Sequence, residues 1–374
     1  FNLLVESSDP AKRGAAGTRW VGGYVGGCAV LSALHLATIS FFPVDASALS
    51  GVAADIPSAG VWRGEELLLA AWVLLFTGLS QSLLVESPRY LFASGRTLDA
   101  LDAARTIGRT NGVDLDAALI EDARLAPLRD AAYGCYLSEM DEAEGEEDGD
   151  AEPTPMELAC VEPAEAEAKW SDLIAPDGLL WTSLALGGME IAYNLGYYAL
   201  IFSSGKISDA VLVNIILLAA ADIPGAVLSG RSIDNVGAKE TAYRFLLSAG
   251  SILVLLAALT GLREMMPPDA GSAAEAVFSG AEVTLSLMGK SAATGSFTAI
   301  FLLFAELYPT RLRGSALGLG MMFGKAGATA APLIVANLAL SPALGLTGAG
   351  LFGAAAVAST LEGAKEVEPT DDDE

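Results

Sequence analysis

Eight apolar stretches of bilayer-spanning length recur along this chain, at about 19–42, 65–85, 178–203, 209–230, 243–262, 276–304, 315–340 and 342–361. A helix rises 1.5 Å per residue, so about 20 residues cross the roughly 30 Å of hydrocarbon in a membrane. A soluble core has no need of so many helices of that length. The chain is 52% hydrophobic and its mean hydropathy is +0.46. Its 40 glycines would weaken soluble helices, whereas membrane helices use small residues for close contact. The pattern predicts an all-α membrane protein, a bundle of about eight transmembrane helices whose first partner is the lipid bilayer.

The formal charge of −25 is local. Residues 139–168 hold 13 acids and no Lys or Arg, and residues 362–374 hold seven more acids against Lys365. The acidity belongs to a loop and a tail, and it argues against nucleic acid as a partner. Cys28, Cys135 and Cys160 are far apart and odd in number, and His35 is the only histidine. Neither a disulfide framework nor a metal-ligand spacing is present, so no metal and no cofactor is expected. The chain begins at Phe1 with no signal peptide ahead of it, and it reads as a fragment or an N-terminally truncated sequence.

Eight spans put both termini on one side. With the N-terminus inside, the inner loops receive Lys12, Arg13, Arg19, Arg89, Arg96, Arg231, Lys239, Arg244, Arg311, Arg313 and Lys365. The outer loops receive only Arg63, Lys206 and Arg263. The bias places both termini in the cytoplasm, in an unspecified cellular membrane. The long loop after the second span opens with a predicted amphipathic helix. Thr97 is its candidate N-cap, Leu98, Leu101, Ala104 and Ile107 are its apolar positions, and it ends near Asn111-Gly112. Beyond about residue 133 the loop turns acidic and rich in Pro, Glu and Ala, a composition expected to be disordered.

The loops also carry a series of motifs. E-S-S-D-P-A-K-R-G at 6–14 resembles the E-x-x-P-x-x-x-R-G loop of major facilitator transporters, with Pro10 one position late. V-E-S-P-R-Y-L at 85–91 resembles their P-E-S-P-R segment, with Val85 where Pro is usual, and G-R-T-L-D-A-L-D-A at 95–103 continues it. D-I-P-G at 222–225 and I-D-N-V-G-A-K at 233–239 are similar to the E-x-P-G and D-R-x-G-R-R elements, with Asp222, Asn235 and Ala238 as departures. G-K-S-A-A-T-G-S-F at 289–297, A-E-L-Y-P-T-R-L-R-G at 305–314 and F-G-K-A-G-A-T-A-A-P at 323–332 resemble the organic cation/anion/carnitine transporters and the synaptic-vesicle-type, sugar-porter-like branch.

These motifs follow in the family's order over nearly the whole chain except the acidic insert. The resemblance implies a major facilitator helical bundle of which this chain holds the last eight of twelve helices. The implied domains are a remnant of the N-terminal half at 1–85, a cytoplasmic loop at 86–177 with a short helix and an acidic segment, a six-helix C-terminal half at 178–362, and an acidic cytoplasmic tail at 363–374. The implied partners are a small organic ion and a coupling ion, proton or sodium.

Seven residues are candidates for a cytoplasmic gate: Glu86, Arg89, Asp234, Lys239, Glu306, Arg311 and Arg313. In proteins this chain resembles, such groups form ion-pair latches at helix ends. The plain alternative is that the arginines only obey the positive-inside rule. Six residues are candidates for the substrate site. Glu190, Tyr193, Asn194 and Tyr197 are spaced at i, i+3, i+4 and i+7, so they share one helix face. That face is either a substrate wall or a set of interhelical hydrogen bonds, and both readings stay open. Lys290 lies two turns from Glu282, too far for a direct pair, and is read as facing the cavity or the missing half. Lys325 matches a position that faces the central cavity in the family, where a basic residue goes with anions. Its alternative is snorkelling to an interface. Asp222 precedes Pro224-Gly225, and helix kinking is its expected role. The small residues Gly318, Gly320, Gly324, Gly327 and Ala331 suit either sliding or plain tight packing.

Three functions compete as readings of these residues. The first is a secondary transporter moving a small organic ion, an anion or acid in preference to a cation, by alternating access. The second is a truncated or degenerate membrane protein whose acidic loop binds a partner without transport. The third, an intramembrane enzyme, is disfavoured because neither a Gly-x-Ser-x-Gly elbow nor a phosphate loop is present.

Overall fold

A computed structural model describes residues 12–23, 61–94, 96–112, 179–207, 211–266 and 272–361, with isolated positions such as Leu173 beside them. The first apolar stretch beyond residue 23, the acidic segment and the acidic tail lie outside the described residues.

The described elements are all helical. After a helical stretch at 13–23 come α1 (Val61–Leu83), α2 (Pro88–Ala93), α3 (Thr97–Thr110), α4 (Leu180–Ile207), α5 (Val211–Val236), α6 (Ala238–Glu264), α7 (Ser272–Leu307), α8 (Thr310–Asn337) and α9 (Leu340–Thr360). Seven of the eight expected spans are therefore helices. Several run past their apolar stretch by about a turn, because the flanking charged residues are good helix formers. In α6, for example, Lys239 and Glu240 extend the helix backward, and Arg244 pairs with Glu240 at 2.7 Å. Among the described residues, four helical segments are long and apolar enough to cross a membrane: Ala238–Glu264, Ala273–Leu307, Leu312–Asn337 and Leu340–Thr360. Glu66–Gln81 is a shorter apolar run.

The chain divides into two compact units, residues 23–86 and the remainder. The smaller unit is dominated by α1, whose surface is apolar, with Leu67 72% and Leu74 73% exposed. Water would penalise such a surface by roughly 25 cal/mol per Å2, and hydrocarbon does not. The larger unit repeats this inside-out pattern. Leu255, Val277, Met322 and Leu333 are exposed, while Glu190, Asp222, Glu282 and Lys290 are buried.

Within the larger unit α6 packs on α9 and α7, α4 on α8 and α9, and α5 on α7. Small residues allow these contacts. A Cβ at Gly348 would meet the Gly250 carbonyl oxygen at 3.1 Å across the α6–α9 seam. At Gly225 a Cβ would run into the Ser291 backbone across the α5–α7 seam. Helix α5 continues through Pro224. The carbonyl freed there is tolerable in a packed membrane helix, where neighbouring helices can satisfy it. The reversal from α5 to α6 takes the single residue Gly237, whose φ of 83° suits glycine.

Helix α3 ends as its sequence predicts, at Asn111 and the left-handed Gly112. Its start differs. Thr97 is inside the helix, the cap position is Arg96, and no side chain caps it. Arg96 instead reaches forward to Asp99 at 2.7 Å, a charge pair across one turn.

Candidate functional site

The polar stripe of α4 forms as its spacing requires, but its two ends meet different helices. At one end Glu190 is buried against α8. Asn194, one turn on, donates from Nδ2 to Glu190 Oε2 at 2.9 Å. Glu190 Oε1 has no hydrogen-bond partner among the described residues. The seam is close here because α8 presents glycine: a Cβ at Gly324 would lie 2.5 Å from Asn194 Nδ2 and 2.8 Å from Glu190 Oε2.

At the other end Tyr197 donates to Asp222 Oδ2 of α5 at 3.2 Å. Asp222 is the hub of a buried network. Lys290 of α7 donates to both of its oxygens, at 2.8 and 2.9 Å, and Thr294, one turn beyond Lys290, donates to Oδ1. The Lys290 ammonium also sits 3.8 Å from the centre of the Tyr197 ring, a cation–π contact. Lys290 is thus committed to Asp222 rather than turned into an open cavity, and Asp222 serves as more than a kink. Glu282 is taken by Arg263 at 2.6 Å, across α6 and α7.

Between the two ends Tyr193 stacks on Phe297 of α7 at 5.3 Å. Trp20, from the N-terminal helical stretch, stacks on Phe297 at 5.2 Å and on Phe301 at 5.6 Å. Neither Trp20 nor Phe297 was legible as a site residue, since an aromatic in an apolar run carries no distinguishing mark. Asp222 could have been found by charge balance, because two opposite intramembrane charges are cheapest as a pair. Thr294 could have been found from its i+4 spacing to Lys290.

Lys325 follows Gly324 on α8 and is exposed. Its ammonium makes no hydrogen bond or ion pair with the described residues, although its charge acts on Glu190. The site therefore pairs one neutralised buried ion pair with one available cation and one half-satisfied carboxylate.

Among the gate candidates, Asp234, Lys239, Glu306 and Arg313 fall at the opposite end of the larger unit's helices from Arg263. Asp234 accepts the backbone N–H of Gly14 at 2.9 Å, placing a carboxylate at the start of the helical stretch 13–23, where the helix dipole favours it. Thr18 from that stretch donates to the Ala226 carbonyl at 3.0 Å. Lys239 donates to the Leu361 carbonyl, which follows the end of α9. The charges of Arg13 and Arg313 both act on Glu306, and Arg313 donates to the Tyr308 carbonyl at 3.3 Å. Glu86 ends the smaller unit and is exposed. The side chains of Arg89 and Arg311 lie outside the described residues.

No family model matches the chain. Solved structures with the same fold include the major facilitator proton:xylose symporter XylE bound to 6-bromo-6-deoxy-D-glucose. The TM-score is 0.63 at 16% identity, covering 95% of this chain and 65% of that one. Curated relatives include solute carrier family 22 member 6 of Bos taurus, 25% identical over 83% of this chain and 48% of the relative. Organic anion transporter 3 of Rattus norvegicus is 23% identical over 79% of this chain and 46% of the relative. The chain is an all-α membrane protein with the major facilitator fold, and its sequence is similar to organic-ion transporters. The chain spans about half the length of the curated relatives it matches, and those relatives are transporters rather than enzymes.

Proposed function

We propose that this protein moves a small organic anion across a bilayer by alternating access, with Lys325 as the anion-binding group and Tyr193 as part of the adjoining aromatic wall. The observation that carries the reading is Lys325 itself. An ammonium on a membrane-spanning helix, exposed and without a described partner, is expensive unless it serves a polar path or ligand. The organic anion transporters among the relatives support the anion in preference to a cation. The cluster of Glu306 with Arg13 and Arg313, together with Asp234 on Gly14, is proposed as the cytoplasmic latch, with both termini on that side. The coupling ion is a proton or sodium, and the fold is shared with a proton symporter.

The test is binding and uptake of benzoate, a small aromatic anion, by the purified chain in nanodiscs and proteoliposomes. Lys325→Ala removes a charge-assisted hydrogen bond worth about 1.5–3 kcal/mol, so affinity should fall roughly 10- to 150-fold. Lys325→Arg should keep most of it. Equal benzoate binding by Lys325→Ala and the parent would sink the assignment. Binding without any uptake would favour the non-transporting reading.

A further inference from the structure

Four segments of the larger unit converge at the corner where α5 turns into α6. Thr241 of α6 donates to Ser232 Oγ of α5 at 2.8 Å. The helical stretch 13–23 meets the same corner. The Gly14 N–H donates to Asp234 at 2.9 Å, and a Cβ at Gly14 would run into the Gly230 carbonyl. Helix α9 arrives there too, because Lys239, on the first turn of α6, donates to the Leu361 carbonyl. An ammonium is poorly placed at the N-terminus of its own helix and well placed at the C-terminus of another. Lys239 accordingly turns to α9.

The charges at this corner do not balance. Lys12 and Arg231 are exposed and make no ion pair or hydrogen bond with the described residues. Lys12 lies two residues ahead of Gly14, and Arg231 sits between Gly230 and Ser232. Of the acids nearby, Asp234 is engaged with the Gly14 N–H, and Glu240 is taken by Arg244 at 2.7 Å. Leu361 is 2% exposed, so the chain leaves α9 from a fixed point in this corner. The residues that follow, 362–374, carry seven acids against Lys365. Packed helix axes lie about 8–10 Å apart, so from α6, where Leu361 is held, Arg231 is one helix away and Lys12 two. Six residues of extended chain reach about 20 Å, enough for both.

We propose that the acidic stretch 362–374 folds back over this corner and pairs with Arg231 and Lys12, strapping the helical stretch 13–23 to the ends of α5, α6 and α9. The acids at 139–168 are more numerous, but the nearest described anchor on their α4 side is elsewhere. There Ser183 of α4 donates to the Leu173 carbonyl at 2.8 Å and meets the Tyr308 hydroxyl at 2.8 Å, beside the α7–α8 turn. A single exposed ion pair is worth little. A tethered partner, however, meets its site at an effective concentration of about millimolar order. Several weak pairs on one tether form and release readily, and salt screens them. The strap bears on the same end of the helices as the proposed latch: docked, it holds that end closed, and released, it frees it. It does not depend on what Lys325 binds.

The experiment uses the full chain, one copy per nanodisc in zwitterionic lipid, treated with a carbodiimide. This reagent joins a carboxylate to an amine in direct contact, taking up the water lost and leaving as a urea. Peptide mass spectrometry should find acids of 362–374 joined to Lys12. The yield should fall several-fold as the Debye length drops from about 30 Å at 0.01 M salt to about 3 Å at 1 M. Arg231→Glu should lower the yield several-fold, whereas Arg109→Glu, on α3, which packs on α2, should leave it unchanged. Replacing the acids of 362–374 by Asn and Gln should abolish the link. The same change should speed amide hydrogen exchange over 13–20 several-fold, with no change around Gly250 and Gly348 in the α6–α9 seam. A Lys12 joined instead to acids of 139–168, joined to none, or joined with a yield that salt does not alter would overturn the strap. So would exchange over 13–20 that ignores the neutralised acids but slows in anionic discs, which would assign the corner to lipid headgroups. The link in the parent chain decides the matter even if a variant does not fold.

Discussion

Two carboxylates lie buried along one face of α4, and they are treated in opposite ways. Asp222 is met by Lys290, Thr294 and Tyr197, so both of its oxygens are occupied and its charge is cancelled. Glu190 is met by Asn194 alone among the described residues, and its Oε1 is left without a hydrogen-bond partner there. Their exposures are nearly equal, at 1% and 2%, so burial does not separate them. Satisfaction does. A fully partnered ion pair holds helices in register and has no capacity left for a ligand. A half-partnered carboxylate keeps that capacity.

The comparison breaks most visibly at the paired end. Lys290→Ala leaves Asp222 buried without its counter-charge and should cost about 3–5 kcal/mol in unfolding measurements in detergent. The double variant Lys290→Met with Asp222→Leu should recover most of that loss. A Lys290→Ala protein as stable as its parent would show that the pair is not structural. At the other end Lys325→Ala should do the reverse, losing benzoate binding while unfolding shifts by no more than about 0.5 kcal/mol, as for an exposed position.

Smaller effects sharpen the contrast. Gly324→Ala places a methyl group 2.5 Å from Asn194 Nδ2, and overpacking of this kind costs about 1–3 kcal/mol. Gly318→Ala, where a Cβ meets open space, should shift unfolding by no more than about 0.5 kcal/mol. Tyr197→Phe removes the hydroxyl at 3.2 Å from Asp222. Asp222 keeps Lys290 and Thr294, so the expected loss is at the low end of a single hydrogen bond, about 0.5 kcal/mol. A loss several times larger would mean that Tyr197 and Lys290 act as one unit.

Much of this architecture was legible in the residues. Helix length and count came from apolar run length, since a bilayer sets a minimum span. The shared face of Glu190, Tyr193, Asn194 and Tyr197 came from the 3.6-residue period. The i+4 bond between Glu190 and Asn194 is a local consequence of that period. Thr97 shows the limit even locally. A threonine before an apolar run suggests a cap, but the backbone at Arg96 took the cap position, and Arg96 found a better use for its own charge in Asp99.

The partnerships between distant residues were decided only by the tertiary structure. Lys290 and Asp222 are 68 positions apart, and nothing in either local sequence says that α5 and α7 pack with Gly225 against Ser291. Trp20 reaches Phe297 from the far end of the chain for the same kind of reason. Sequence alone determined that this chain is a set of membrane-length helices with a handful of costly charges inside them, because hydrocarbon thickness and helix geometry leave no other use for such runs. Which charges cancel and which stay available depends on helix neighbours. Those are chosen by the summed packing of many small residues across whole seams, a quantity that no single stretch of sequence contains.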